Sequence, residues 1–403
     1  MKTSPDFDRS YRALLELPSV GRILLGMQIA RIGQSMVSVA IVLFALSAYR
    51  SPAIAGLATF FGIFPGLVVS PIAGALLDRH GRTRLVVLDY LVALAALVLM
   101  GSMALAGALP ATLLIIIAAV ASLTTPLSAT GLRSLFPLIV PSHLWERLNA
   151  IDSTGYVVAT IIGPPFAASL VALCGGPVTL IVIGLSFGCA AFVIVRSVDP
   201  PAPGISNASL LTQAWQGLVY TWRNRTLRAL GFSITVLNLA SGILNIVVPL
   251  IVLQRLQLGE IAVGLVFSVQ GLAGILSAFL FGRHDTRGRE RLMLALPMVA
   301  MSGAIAGLLL GSNLAVLVLV MAVTGGLNGP IDIGLFTLRQ RRTDAGWTGR
   351  AFAVSMSFNY FGFPIGAAFA GVVAARSIEM ALVSGVATCL AAGLIAAVMI
   401  PSR

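Results

Sequence analysis

Twelve long apolar runs, each about the length needed to cross a bilayer, account for most of this 403-residue chain. They fall at 20–48, 54–77, 85–107, 111–136, 148–174, 177–196, 227–253, 260–281, 292–310, 314–338, 351–375 and 379–400. About 20 apolar residues span the hydrocarbon core, where a backbone must satisfy its own hydrogen bonds, so each run is predicted to be a transmembrane α-helix. Only 10% of residues are charged and 58% are hydrophobic, with a mean hydropathy of +0.99. A soluble domain could not cover its surface with so few charges. Gly and Pro inside several runs are compatible with membrane helices.

A net charge of +12 would suit a nucleic-acid binder, but its placement points elsewhere. With both termini cytoplasmic, 22 of the 26 basic residues fall in cytoplasmic segments; Arg50, Arg255 and Arg376 lie on the other face and Arg31 within a span. This is the positive-inside pattern, so the charge reports topology. No nucleic-acid partner is expected; attraction to anionic membrane lipids is a secondary consequence. The first 17 residues are polar and the first run is too long for a signal-peptide core, so it is expected to remain as an anchor. Cys174, Cys189 and Cys389 lie in or near apolar runs and read as packing residues, giving neither a disulfide framework nor a metal site. His80, His143 and His284 all fall in loops. Neither a phosphate-binding Walker sequence nor a nucleophile elbow is present, so no enzyme activity and no cofactor are expected.

The longest connector, 197–226, contains the structure-breaking stretch "DPPAPGISNAS" and separates 1–196 from 227–403, with six runs on each side. The two parts repeat each other. "GALLDRHGRTRL" at 74–85 returns as "FGRHDTRGRERL" at 281–292, aligning Asp78 with Asp285 at an offset of 207. Arg147, Ala150 and Gly163 align with Arg350, Ala353 and Gly366 at an offset of 203. The expected architecture is therefore a pair of pseudo-symmetric six-helix bundles, the build of many secondary transporters. Asp78 and Asp285 each end an even-numbered span, and Arg133 and Arg339, offset by 206, end spans four and ten on the same face. Asp78–Arg133 and Asp285–Arg339 are expected as symmetric latches through charge-assisted hydrogen bonds. The alternative is that the arginines only set topology.

The first of these loops resembles the G-x-L-a-D-r-x-G-r-k motif between spans two and three of the major facilitator superfamily, matched by Gly74, Asp78, Arg79, Gly81, Arg82 and Arg84. The resemblance implies twelve helices around a central cavity and a cytoplasmic gate of Asp78, Arg79, Arg82, Arg133, Asp285, Arg289 and Arg339. Span five carries Ala159, Gly163, Pro164, Ala167 and Ala168, similar to that family's antiporter signature with Ala at three Gly positions. Gly362, Gly366 and Gly371 repeat it in span eleven, and such small residues also suit ordinary close helix packing. The loops around 134–153 and 338–355 resemble the macrolide and siderophore exporter branch. The resemblance implies a monomeric multi-pass protein of the bacterial inner (plasma) membrane that exports an amphipathic small molecule by alternating access, driven by protons. Import or flipping of an amphiphile or organic anion, and a non-transporting receptor or scaffold, are the alternatives.

Ionisable groups at membrane depth are costly, which makes them functional candidates. Arg31 lies 11 residues into span one and Asp332 six from the inner end of span ten. They are expected to border the cavity, with Asp332 as proton carrier and Arg31 as its partner or as a contact for an anionic group. Asp89 and Asp152 lie near the cytoplasmic surface, where an Arg of the adjacent loop is the expected partner. Gln34 stands where many relatives carry an acid. Asn238, Asn245, Gln270, Asn328, Asn359 and Tyr360 complete the candidate cavity lining, with helix–helix hydrogen bonding as the alternative for the amides.

Overall fold

A computed structural model describes residues 8, 10–197, 199, 210–283, 288–311, 313–344 and 348–401. The described chain is almost entirely helical. Its first half contains α1 (Tyr11–Glu16), α2 (Val20–Tyr49), α3 (Pro52–Phe61), α4 (Phe64–His80), α5 (Arg82–Leu105), α6 (Ala111–Ser122), α7 (Thr125–Ile139) and α8 (Trp145–Ile194). The second half contains α9 (Leu210–Arg223), α10 (Arg225–Leu250), α11 (Glu260–Phe281), α12 (Glu290–Leu310), α13 (Leu314–Arg341), α14 (Thr348–Tyr360), α15 (Gly362–Ala374) and α16 (Ile378–Met399).

Eleven described segments are long and apolar enough to cross a bilayer by length and composition. The longest, Ser142–Ile194, covers two of the expected runs and is interrupted at Gly175, whose φ of 80° and ψ of 160° leave the helical region. Glycine is the residue that adopts this conformation without steric cost.

Three expected single spans are each built from two helices. The run at 54–77 breaks between α3 and α4, where Pro65 opens the second helix. The run at 111–136 breaks at Leu123–Thr124 ahead of Pro126, and the run at 351–375 breaks at Phe361 ahead of Pro364. A proline lacks an N–H and crowds the carbonyl four residues back, so a helix restarts there more readily than it continues. Pro249 likewise precedes a π turn at Ile251–Arg255. The connector 197–226 also departs from expectation, since its second part is the helix α9. Asn224 then caps α10 by accepting from the backbone N–H groups of Thr226 and Leu227.

Where α15 packs on α10, a Cβ added at Gly366 would stand 2.1 Å from the Leu239 carbonyl oxygen, and one at Gly362 1.9 Å from that of Thr235. Gly163 on α8 lies against Ser35 of α2 in the corresponding place. Two further seams join the halves of the chain. In one, α3 meets α15, with Gly56 and Gly371 in backbone contact. It continues through Phe64–Phe361, ring centroids 5.5 Å apart, to the Ser70 and Ser357 hydroxyls at 3.2 Å. In the other, Gly264 of α11 rests on Pro164 and Pro165 of α8, and Ser268 donates to the Ile161 carbonyl at 3.1 Å.

The two seams are unequal. The α3–α15 line runs on toward the Arg-rich ends of the helices, hereafter the Arg-rich face. On the α8–α11 side, Leu272 and Leu276 of α11 and Tyr156 of α8 are exposed beyond the contact. The opposite ends of α2 and α10 are closed: residues 39–46 and 242–252 are buried. A Gly366→Val substitution is expected to cost about 3 kcal/mol or more through overpacking. Gly303→Ala, with nothing within 4 Å of the added carbon, is expected to be neutral. Thermal unfolding of the two detergent-purified variants checks the contrast.

Candidate functional site

Asp152, near the start of α8, holds arginines from two other helices. Arg31 of α2 donates to its carboxylate and, at 2.8 Å, to its backbone carbonyl; Arg133 of α7 donates Nε to the other carboxylate oxygen at 3.2 Å. The side chains of Arg31 and Asp152 are 16% and 13% exposed, so the pair is largely withdrawn from solvent while Arg133 is open at 54%. Gln28, one turn from Arg31, donates to the Gly155 carbonyl at 3.0 Å. One expected pairing is thereby corrected: the partner of Arg31 is Asp152 rather than Asp332. Arg133 also holds Asp152, while its expected latch to Asp78 involves a side chain that is not described. The cause is geometric: α2 and α8 share the small-residue seam at Ser35 and Gly163, which brings Asp152 within reach of Arg31. The side chain of Asp78 and all of Asp285 lie outside the described residues.

The second half repeats this hub with a different chemistry. Arg339 of α13 is fully buried; its Nη1 lies 2.8 Å from the Met356 sulfur of α14. The Asn359 amide, oriented to satisfy both neighbours, donates to the Ser355 carbonyl at 3.1 Å and accepts from Arg339 Nη2 at 2.6 Å. Asn238 of α10 donates to the Asn359 carbonyl at 2.9 Å, as Arg31 does to that of Asp152, and Thr235 donates to the Phe358 carbonyl at 2.9 Å, as Gln28 does to that of Gly155. A carboxylate thus joins α2, α7 and α8, whereas an amide joins α10, α13 and α14.

Asp332 is different. It is exposed, and among the described residues it makes no hydrogen bond or ion pair. Successive residues of a helix turn by about 100°, so the nine residues from Val323 to Asp332 place them on opposite sides of α13. Val323, like Leu319, is exposed on that opposite side. Arg339, seven residues from Asp332, shares its face and reaches α14. Asp332 therefore shares a face of α13 with Arg339 and with half-buried Asn328, four residues earlier.

The first Arg-rich loop is organised by a residue that the sequence reading passed over. Asp199 receives the backbone N–H groups of Arg82 at 3.2 Å and Thr83 at 3.0 Å, so a carboxylate sits on the N-terminus of α5. Gly81, with φ of 91°, makes room: a Cβ there would lie 2.7 Å from an Asp199 carboxylate oxygen. Buried Arg82 donates to Ser134 of α7 at 3.1 Å. Arg79 and Arg289 are exposed. Asp89 departs from its expected arginine: Thr124, in the break between α6 and α7, donates to it at 2.6 Å.

Of the other candidate amides, Gln270 reaches a neighbouring helix. Gln270 lies 3.4 Å from the Thr324 hydroxyl, and Asn245 is buried at the closed end with its carbonyl oxygen unpartnered. Gln34 is exposed, as is Tyr360, which stacks on Phe363 at 5.7 Å. Among the described residues no three His, Cys, Asp or Glu side chains are grouped to hold a metal. Asp152→Asn is expected to cost about 3 kcal/mol, because a withdrawn pair is broken on one side. Arg31→Gln combined with it is expected to cost less than the sum, with a coupling of about 2 kcal/mol in a double-mutant cycle of detergent-induced unfolding.

The sequence profile of the Major Facilitator Superfamily matches residues 23–367 and, in a second placement, 230–403. An uncharacterised transporter of that family from Sinorhizobium fredii is 35% identical over 397 residues, covering 97% of each chain. Macrolide efflux protein A of Streptococcus pyogenes is 24% identical over 87% of this chain and 88% of its own, and the multidrug efflux pump Tap of Mycolicibacterium fortuitum 24% over 79% and 80%. In fold, the chain is similar to a bacterial homologue of the iron transporter ferroportin in its inward-facing state, with a TM-score of 0.72 over 96% of this chain and 98% of that one at 17% identity. A nucleoside transporter superposes with a TM-score of 0.74 over 94% and 100% at 12% identity. This multi-pass chain belongs to the major facilitator superfamily and is a membrane transporter, not an enzyme.

Proposed function

We propose that the protein exports an amphipathic small molecule from a bacterial cell by alternating access, taking protons in exchange. Its twelve spans, counting the segment interrupted at Gly175 as two, form six-helix bundles at 1–196 and 227–403, joined by the connector 197–226. The Arg-rich face and both termini are cytoplasmic, as the positive-inside pattern requires, and the membrane is the inner (plasma) membrane. The protein acts as a monomer. The bundles rock about the α3–α15 and α8–α11 seams, where small residues let backbones touch and shift without side chains in the way.

The observation that carries this reading is Asp332, an exposed carboxylate on a membrane helix with no hydrogen bond or ion pair among the described residues, which we place at the cleft between the bundles. A carboxylate kept at that depth without a structural partner is available to exchange a proton or to meet a cationic cargo. Similarity to macrolide and multidrug efflux proteins over more than three quarters of the chain supports the outward direction and an amphipathic cargo. Arg31, the residue that would favour an anionic cargo, is engaged by Asp152, which leaves import of an organic anion with less support.

In everted vesicles, an imposed proton gradient is expected to drive uptake of a macrolide or lipophilic dye; right-side-out vesicles are expected to show extrusion. Asp332→Asn is expected to lower the gradient-driven rate at least tenfold while retaining gradient-free counterflow. Undiminished gradient-driven flux in that variant would remove Asp332 from the coupling step.

A further inference from the structure

A cavity of about 420 Å³ lies beneath α9, between that helix, the start of α10 and the second half of α14. Its walls are apolar: Leu218 and Trp222 from α9, Gly231 from α10, Val354 and Phe358 from α14, with Trp215 at its edge. Trp215 and Trp222 are 65% and 53% exposed, unusual for such large aromatic side chains unless lipid covers them. Amphipathic aromatic rings settle at the headgroup level of a bilayer. Arg223 and Arg228 stand among the lining residues, and among the described residues no acid does. The nearest acid of the α9 region, Asp344, is engaged by the Tyr220 hydroxyl at 3.0 Å. Inside the cavity wall, the Thr221 hydroxyl is 6% exposed as part of its residue and has no hydrogen-bond partner among the described residues. A buried hydroxyl left unpaired is costly, so a polar partner belongs beside it.

An apolar slot at the membrane boundary, a buried hydroxyl without a partner and two arginines describe a complementary ligand: an acyl chain, an ester oxygen and a phosphate. We propose that this cavity binds an anionic glycerophospholipid from the leaflet on the Arg-rich side. The acyl chain fills the space against Val354 and Phe358, Thr221 donates to a glycerol ester or phosphate oxygen, and Arg223 with Arg228 holds the headgroup. The bound lipid fastens α9 to α10 and α14. Tyr220 of α9 also bonds Asp344 after α13, and the Asn224 amide, in the cap between α9 and α10, donates to the Arg342 carbonyl at 2.8 Å. The lipid is thereby a structural partner of the connector between the halves, separate from the transported molecule.

The test uses the full chain in proteoliposomes, with Trp145→Phe and Trp347→Phe so that Trp215 and Trp222 report alone. Their fluorescence is compared with dibrominated phosphatidylglycerol or dibrominated phosphatidylcholine at equal mole fraction. At least fivefold local enrichment of the anionic lipid is expected, falling to within twofold of parity in Arg223→Gln/Arg228→Gln. Thr221→Val, close in shape and expected to fold, lowers the enrichment at least twofold. Equal quenching by both lipids in the parent, or enrichment unchanged in both variants, overturns the proposal. So does a lipophilic cation that relieves quenching while the two lipids quench alike, which would make the cavity a cargo site.

Discussion

Where α15 lies against α10, backbone meets backbone. In hydrocarbon, apolar side chains gain nothing by leaving lipid for one another, so close dispersion contact and interhelical hydrogen bonds must hold the helices together. Gly362 and Gly366 allow that approach on α10, Gly242 accepts it from the other side, and Gly56, Gly371 and Gly264 allow it between the halves of the chain. The polar hubs depend on the same proximity. A side-chain donor on α2 or α10 can reach a carbonyl on α8 or α14 only because the neighbouring backbones are so close.

The duplicated halves have diverged where charge is involved. The Asp152 hub gathers two guanidinium groups on one carboxylate, which requires extensive compensation when ions are withdrawn from water. The second half places Asn359 at the centre of its hub, one turn from Ser355, the position aligned with Asp152 at the 203 offset. Asp332, on the same helix as Arg339, stays outside that hub and is exposed. The two carboxylates thus differ: Asp152 joins helices, whereas Asp332 makes no hydrogen bond or ion pair among the described residues.

Much of the architecture is legible because a bilayer sets one dimension for every span. The apolar runs and the positions of the arginines carry it. The breaks in three spans are harder to see, because each lies inside an apolar run and is marked only by a proline such as Pro65, Pro126 or Pro364. Pairing is harder still. Asp152 and Arg31 are 121 residues apart in sequence, and nothing in composition prefers that partner to Asp332 for Arg31; the small-residue seam between α2 and α8 decides it. Asp199 escaped notice because it stands before two prolines in a connector. Its role follows only once the turn at Gly81 brings the start of α5 to it. Nor does the sequence say which helix each amide reaches: Asn238 of α10 donates to the Asn359 backbone carbonyl of α14.

The connector is pinned at both ends to different parts of the molecule. Asp199 is bonded to the first turn of α5, and from residue 210 onward α9 is secured to the second half through Tyr220 and Asn224. Ten residues, 200–209, join those anchor points. A peptide advances at most about 3.5 Å per residue, so the eleven steps from Asp199 to Leu210 let the start of α9 move no further than about 38 Å from Asp199. That ceiling is set by covalent length rather than by any contact that could be broken.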